Sequence, residues 1–286
     1  MKLHIVHRTV YRYRQPLRRV VQTLRLTPRR CSRQTLLEWS VLGSGSLHLD
    51  EDAWGNVAHL HTIDHGARRL TAEASGVVET SALPDWIDPI GPAPDWYREA
   101  SALVGRWPAI TDLALTCLPP GDWAHPLAPT RGVERLLRLA EAVRHRVRYR
   151  PGSTDVHTTA EAAWRAGEGV CQDQAQVFIA ACRAAGVPAR YVSGYFLSHT
   201  PGEAGETEGS AGPADLASHA WAEVCIDVPQ RRWLGVDVTH ACPIDERHVI
   251  LAVGPDYAAC PPVRGVRSGG GDETMSVQLS LTPLPV

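Results

Sequence analysis

The chain has 286 residues, 44% of them hydrophobic and 21% charged, the balance of a globular protein with enough core for one large domain or two moderate ones. No apolar run approaches the roughly 20 residues that cross a bilayer, so a membrane span is not expected. The net charge of −2 leaves no general basic field, which argues against a nucleic-acid partner.

The N-terminal stretch carries Lys2, Arg8, Arg12 and Arg14 and lacks the apolar segment of a secretory signal, so the cytoplasm is the expected location. Residues 1–82 read as short strands, among them Leu3–Val6, Leu36–Leu42 and Val57–His61. Asp52-Ala53-Trp54-Gly55-Asn56 supplies a turn between two of them. The expectation is an antiparallel β-sandwich. His59 and His61 share one strand face, a pair that could hold a metal but reads more simply as a polar face.

Residues 83–129 are rich in proline and tryptophan and read as a linker with one or two short helices. From residue 130 to residue 286 the pattern predicts a second domain, with the C-terminal strands included. Val133, Leu136, Leu137, Ala140, Val143 and Val147 recur at helical spacing, and Tyr149-Arg150-Pro151-Gly152 ends that helix. Thr158-Thr159-Ala160-Glu161 reads as a capping box for a short helix through Arg165. Gly167-Glu168-Gly169-Val170-Cys171 opens another, with Ala175, Phe178, Ile179 and Cys182 on one face and Gly186 and Pro188 as its stop. Three strands follow at about 189–198, 218–228 and 232–239, the first two separated by a Gly/Glu/Pro-rich loop, Thr200–Leu216, read as an insertion or a substrate lid. Val249–Val253 and Met275–Leu281 are further strands, and the end of the chain could add strands to either domain.

Seven cysteines at scattered positions form no CxxC pair, so neither a disulfide framework nor a metal knuckle is expected. With Cys171, Cys182, His219 or Cys225, His240 and Cys242 could in principle make a zinc site, but no ligand pair has a recognised knuckle spacing. No acidic loop has calcium-binding spacing. No metal or other cofactor is expected.

Cys171 lies where glycine-rich backbone meets a first helical turn, whose free N–H groups and positive dipole end stabilise an anion such as a thiolate. Taken alone it reads as a small buried residue. The strands change that reading. His219, Trp221 and Glu223 share one strand face, and Asp237 lies on the matching face of the next strand. A turn centred near Val228 would put His219 opposite Asp237, or within a residue or two of it. A nucleophile, a base and an orienting carboxylate are then in reach of one another. Cys171 would attack a carbonyl carbon, His219 would manage the proton, and Asp237 would fix the ring. The backbone N–H of Cys171 is one natural oxyanion donor. Gln172 and Tyr149 are candidates for a second, and Trp221 could line the acyl site.

These segments resemble a known family. Gly169-Val170-Cys171-Gln172-Asp173, then Arg183 through Tyr195, then Ser218-His219-Ala220-Trp221, then Trp233-Leu234-Gly235-Val236-Asp237-Val238-Thr239 is similar to the bacterial transglutaminase-like superfamily. Val6–Tyr13 and Gln22–Arg29 resemble the β domain that precedes that core in bacteria, and Gly265-Val266-Arg267 with Gly269-Gly270-Gly271 resembles the family's ending. The resemblance implies an α+β fold with a papain-like core, and a Cys-His-Asp triad mapping onto Cys171, His219 and Asp237. One departure is Asp237-Val238-Thr239, where the family often has Asp-Pro-Thr. The implied chemistry is attack on an amide of a peptide or protein substrate through an acyl-thioester. Water as acceptor makes a cysteine protease or amidase; an amine makes a transglutaminase. A binding or scaffold protein that keeps the fold without turnover is the reading from another class.

Overall fold

The computed structural model describes residues 1–64, 66–119, 129–198 and 218–285. The segment Thr200–Leu216 lies outside the described residues, so the reading of it as an insertion or lid falls there too. The first strands are β1 (Lys2–Tyr13), β2 (Leu17–Leu24), β3 (Gln34–Gly43), β4 (Ser46–Glu51), β5 (Val57–Asp64) and β6 (Arg69–Thr80), with buried and open positions alternating most clearly along β1 and β6. The Asp52 turn forms as read: its Oδ1 accepts from the N–H groups of Trp54 (2.9 Å) and Asn56 (3.0 Å). Gly55 there has φ +75°, and a Cβ would meet Ile90 Cγ2 at 2.2 Å, so only glycine fits.

Residues 83–129 do more than link. β7 (Asp85–Ile87) joins the second domain's sheet, a 3₁₀ turn follows at Pro94–Arg98, and α1 (Pro108–Cys117) buries Ile110 and Ala114 in the second domain's core. Trp86 and Trp107 in this stretch are packing groups, whereas Trp96 is exposed.

The second domain continues with α2 (Pro129–Arg146), β8 (Arg148–Tyr149), α3 (Ala160–Ala166), β9 (Glu168–Gly169) and α4 (Cys171–Ala184). The N-cap of α3 is Thr159, one residue later than Thr158; its hydroxyl accepts from Ala162 N–H at 3.1 Å. Then come β10 (Ala189–Phe196), β11 (Ser218–Asp227), β12 (Arg232–Asp237), β13 (Cys242–Pro243) and β14 (His248–Gly254). They form an antiparallel sheet in the order β13-β12-β11-β10-β14, with β7 on the outer edge of β12. One face, with Tyr191, Ala222, Val224 and Val236, packs on α4 through Phe178 and Cys182. The other, with Val192, Trp221, Trp233 and Val253, packs on Trp86 and Tyr97.

The last strands, β15 (Val263–Gly269) and β16 (Glu273–Leu284), leave this sheet. The expectation that they stay with residues 130–286 is corrected by their pairing. β15 extends β2 and β16 extends β1, giving a sandwich of two sheets ordered β16-β1-β6-β3 and β15-β2-β5-β4. Strand alternation alone does not say which sheet edge a strand will complete.

The two halves are joined by buried polar contacts. Strand β14 is the open edge of the core sheet, and two side-chain amides satisfy it. Gln34 donates to Ile250 C=O (2.7 Å) and accepts from Ile250 N–H (2.9 Å); Asn56 does the same at Val253 (2.8 and 2.8 Å). Beside them lies a balanced buried quartet. Arg29 donates to Asp88 (3.1 Å), and Arg190 donates to Asp88 (2.7 Å) and Glu223 (2.7 Å). The Arg190 guanidinium stacks 4.0 Å from the Trp233 ring. The Glu223 position on the His219 face of β11 is therefore used for domain joining.

Candidate active site

The nucleophile position is built by a short parallel pair. β8 and β9 put Tyr149 beside Gly169, two residues before Cys171. Val170 is the N-cap of α4 and has no capping side chain of its own. Asp173 caps in reverse: its Oδ2 accepts from Val170 N–H (2.8 Å) and from the Thr154 hydroxyl (2.6 Å). Burial pushes the Asp173 carboxyl up, and the Thr154 and Val170 bonds oppose that shift. A Cβ on Gly169 would lie 2.7 Å from the Asp173 Cβ, so glycine there makes room for the cap. Cys171 is the first residue of the helix and half-buried. Gln174, one turn on, is fully buried and ties this helix to the end of β12. It donates to Val147 C=O (2.8 Å) and accepts from the Thr239 hydroxyl (2.8 Å).

The register of β11 on β12 pairs Ala222 with Val236 and Val224 with Leu234. That is two residues from the pairing that would set His219 opposite Asp237, because the turn, closed by Asp227 opposite Arg232, is centred beyond Val228; a bulge between Cys225 and Asp227 then takes back one residue. A two-residue offset keeps every side chain on its face, so the two still meet diagonally. His219 Nε2 lies 2.8 Å from Asp237 Oδ2. The Cys171 sulfur is the next hydrogen-bonding and charge partner of His219.

Asp237 gathers more than one histidine. Its Oδ2 is 2.7 Å from His240 Nδ1 and 3.1 Å from His248 Nε2, and its Oδ1 accepts from His240 N–H (3.1 Å). His248 in turn holds Asp245 through Nδ1 (3.0 Å). Phe196 closes the cluster, its ring centroid 4.6 to 5.2 Å from the three imidazoles. Burial alone would push the His219 imidazole down. The charge and hydrogen bond of Asp237, with the sulfur of Cys171, win and push it up to about 10. Asp237 is fully buried, yet His219 and the two further donors hold it well below the usual carboxylate range. At neutral pH the site thus pairs an imidazolium with a carboxylate.

Of the substrate-side candidates, Gln172 is half-buried next to Cys171, and Tyr149 is 46% exposed beside Gly169. Trp221 is fully buried; its ring stands edge-on to His248 at 5.3 Å and 6.2 Å from His219, so it backs the histidines and offers no open surface to an acyl group. Among the described residues one group of three has ligand atoms close enough for a metal: His219, Asp237 and His240, all within 4.8 Å. His61 is committed elsewhere, to Gln22 (3.2 Å) and Ser44 C=O (2.5 Å). Gln174, His248 and Phe196 escaped the sequence reading. Only the glutamine amid apolar helix positions was a local signal, since a buried amide needs partners.

A family model described as the transglutaminase-like superfamily matches residues 122–238, and one described as the bacterial transglutaminase-like N-terminal region matches residues 3–79. An uncharacterized protein of Mycobacterium tuberculosis is 31% identical over 280 residues, covering 93% of this chain and 87% of its own. One from Mycobacterium leprae is 29% identical over 295 residues, covering 99% of each. Among solved structures, a candidate cysteine protease from Cytophaga hutchinsonii superposes with a TM-score of 0.72 at 19% identity, covering 100% of this chain and 91% of that one, which is a likeness of fold. No helix among the described residues is long and apolar enough to cross a membrane.

Proposed function

Since the chain belongs to the transglutaminase-like superfamily and carries its bacterial N-terminal region, we propose that it is a thiol enzyme that attacks amide bonds of peptides or proteins. The observation that carries this reading is the His219 imidazole, with Nε2 2.8 Å from the buried Asp237 carboxylate and Cys171 as its next partner.

In the proposed cycle, Cys171 attacks with its thiol proton passed to His219. Its sulfur adds to the amide carbonyl. The oxyanion that forms accepts from the Cys171 N–H, one of the donors that the first turn of α4 leaves free. His219 gives the proton to the leaving amine, the C–N bond breaks, and an acyl-thioester remains. Water then attacks the thioester, His219 takes its proton, and the acid leaves. Asp237 keeps the ring oriented throughout. Water is present at high concentration unless a site excludes it, so hydrolysis as a cysteine protease or amidase is the first reading. Transfer to an amine, as in a transglutaminase, uses the same first half. The seven cysteines are all unpaired, which fits a reducing compartment, and the cytoplasm is the proposed location.

Trapping tests the proposal. A peptide library or an activated acyl ester is incubated with the protein, and the adduct is located by mass spectrometry. An acyl mass on Cys171, lost in Cys171→Ala, supports it. A Cys171 that stays unmodified while small alkylating reagents also spare it would leave the scaffold reading. Selectivity is expected, because burial pushes the thiols of Cys31, Cys225 and Cys242 up to about 11 and raises Cys117, Cys182 and Cys260 as well.

A further inference from the structure

Asp237 does not hold one imidazole but a set, and that set has the composition of a metal site. We propose that His219 Nε2, Asp237 Oδ2 and His240 Nδ1 form a reversible, inhibitory site for a borderline-soft divalent cation of the zinc class. The three ligand atoms lie within 4.8 Å of one another, with Asp237 Oδ2 at 2.8 Å from the first nitrogen and 2.7 Å from the second. Tetrahedral zinc with bonds of about 2.0–2.1 Å separates its ligands by about 3.3 Å. Both separations therefore need to widen by roughly half an ångström, within the reach of side-chain rotation. Two imidazoles and one carboxylate select zinc, cobalt or nickel over magnesium or calcium.

The surroundings suit a loaded site. An outer layer already fixes the ligands: His248 holds Asp237 Oδ2 (3.1 Å) and is itself held by Asp245, and the His240 N–H holds Oδ1 (3.1 Å). His219 and Asp237 are buried, but the His240 side chain is 47% exposed and lines an open groove with Leu137, Arg138 and Glu141, which gives a metal a way in. Three protein ligands leave the fourth position of a tetrahedral ion for water. A metal would take the nitrogen through which Asp237 orients the ring, releasing that nitrogen's proton to solvent, and His219 would no longer serve Cys171. The inhibition rests on the proposed catalytic role of these residues; the binding does not.

The test uses the full chain. Co²⁺ is titrated into Cys171→Ala, with the visible absorption of low-coordinate cobalt as the readout. One equivalent is expected to bind, with affinity reduced at least tenfold when His240→Ala or His240→Gln is added. Two variants separate ligand loss from misfolding, which circular dichroism checks. Equal affinity with and without His240, or no binding once the sulfur is removed, would overturn the site. In the wild type, Zn²⁺ should block turnover and a chelator should restore it, and His240→Gln should need at least tenfold more Zn²⁺; equal sensitivity would overturn the inhibitory role. If no turnover exists at all, the enzymatic reading fails while the cobalt titration still decides the site.

Discussion

His7 makes the joint between the two halves sensitive to acid. It sits on β1, 4% exposed, with Nδ1 2.7 Å from the Tyr195 hydroxyl on β10 and Nε2 3.2 Å from the Thr9 hydroxyl. Burial without a counter-charge pushes its protonation down from 6.5 to about 4. Below pH 6.5 the unfolded chain binds a proton that the folded chain refuses until about pH 4. Stability from this group is therefore complete above pH 6.5 and is lost as the pH falls through that window. A gap of about 2.5 pH units at about 1.4 kcal/mol per unit is worth about 3 kcal/mol. His7→Gln keeps polar partners for Tyr195 and Thr9 but cannot titrate. Urea unfolding at several pH values measures both proteins. Between pH 7 and pH 4 the wild type is expected to lose about 3 kcal/mol more than His7→Gln, and the difference cancels every other titrating group. Parallel losses would refute the argument.

Other expectations follow from side-chain contacts elsewhere in the structure. Asn56→Ala strands the N–H and C=O of Val253 on the β14 edge, at about 1–3 kcal/mol each, and should lower the thermal midpoint by several degrees. Glu223→Gln leaves Arg29 and Arg190 facing Asp88 alone and should cost about 3–5 kcal/mol in denaturant unfolding. Arg98→Gln, in an exposed pair with Asp95, should change stability by less than about 1 kcal/mol in the same assay. Asp237→Asn should slow turnover roughly a hundred- to ten-thousandfold, with wild-type-like circular dichroism; near-normal rates would remove Asp237 from the cycle.

The core of the fold was readable because its signals are local. Helical spacing located α2 and α4, and two-residue alternation located β11 and β12, whose parity put His219 and Asp237 on one face even though the register slipped by two. Glycine before Cys171 marked a helix start, and the structure shows why: Gly169 leaves room for Asp173 to cap. What escaped is long-range. Nothing near Glu223 announces that Arg190 and Asp88 will meet it, and nothing near Gln34 announces an orphan strand edge 216 residues away. His248 stands at the start of a strand whose alternation is masked by burial on both faces, so its approach to Asp237 had no sequence signature. The last two strands carried a clear alternation and no address.

The proposed chemistry turns on a protonated His219 beside Asp237. A nitrogen-15 NMR titration of the ring, assigned with His219→Gln, reads this directly. The geometry predicts that the ring stays an imidazolium through pH 8 and loses its proton near pH 10. A transition near 6.5, unaffected by Asp237→Asn, would contradict it.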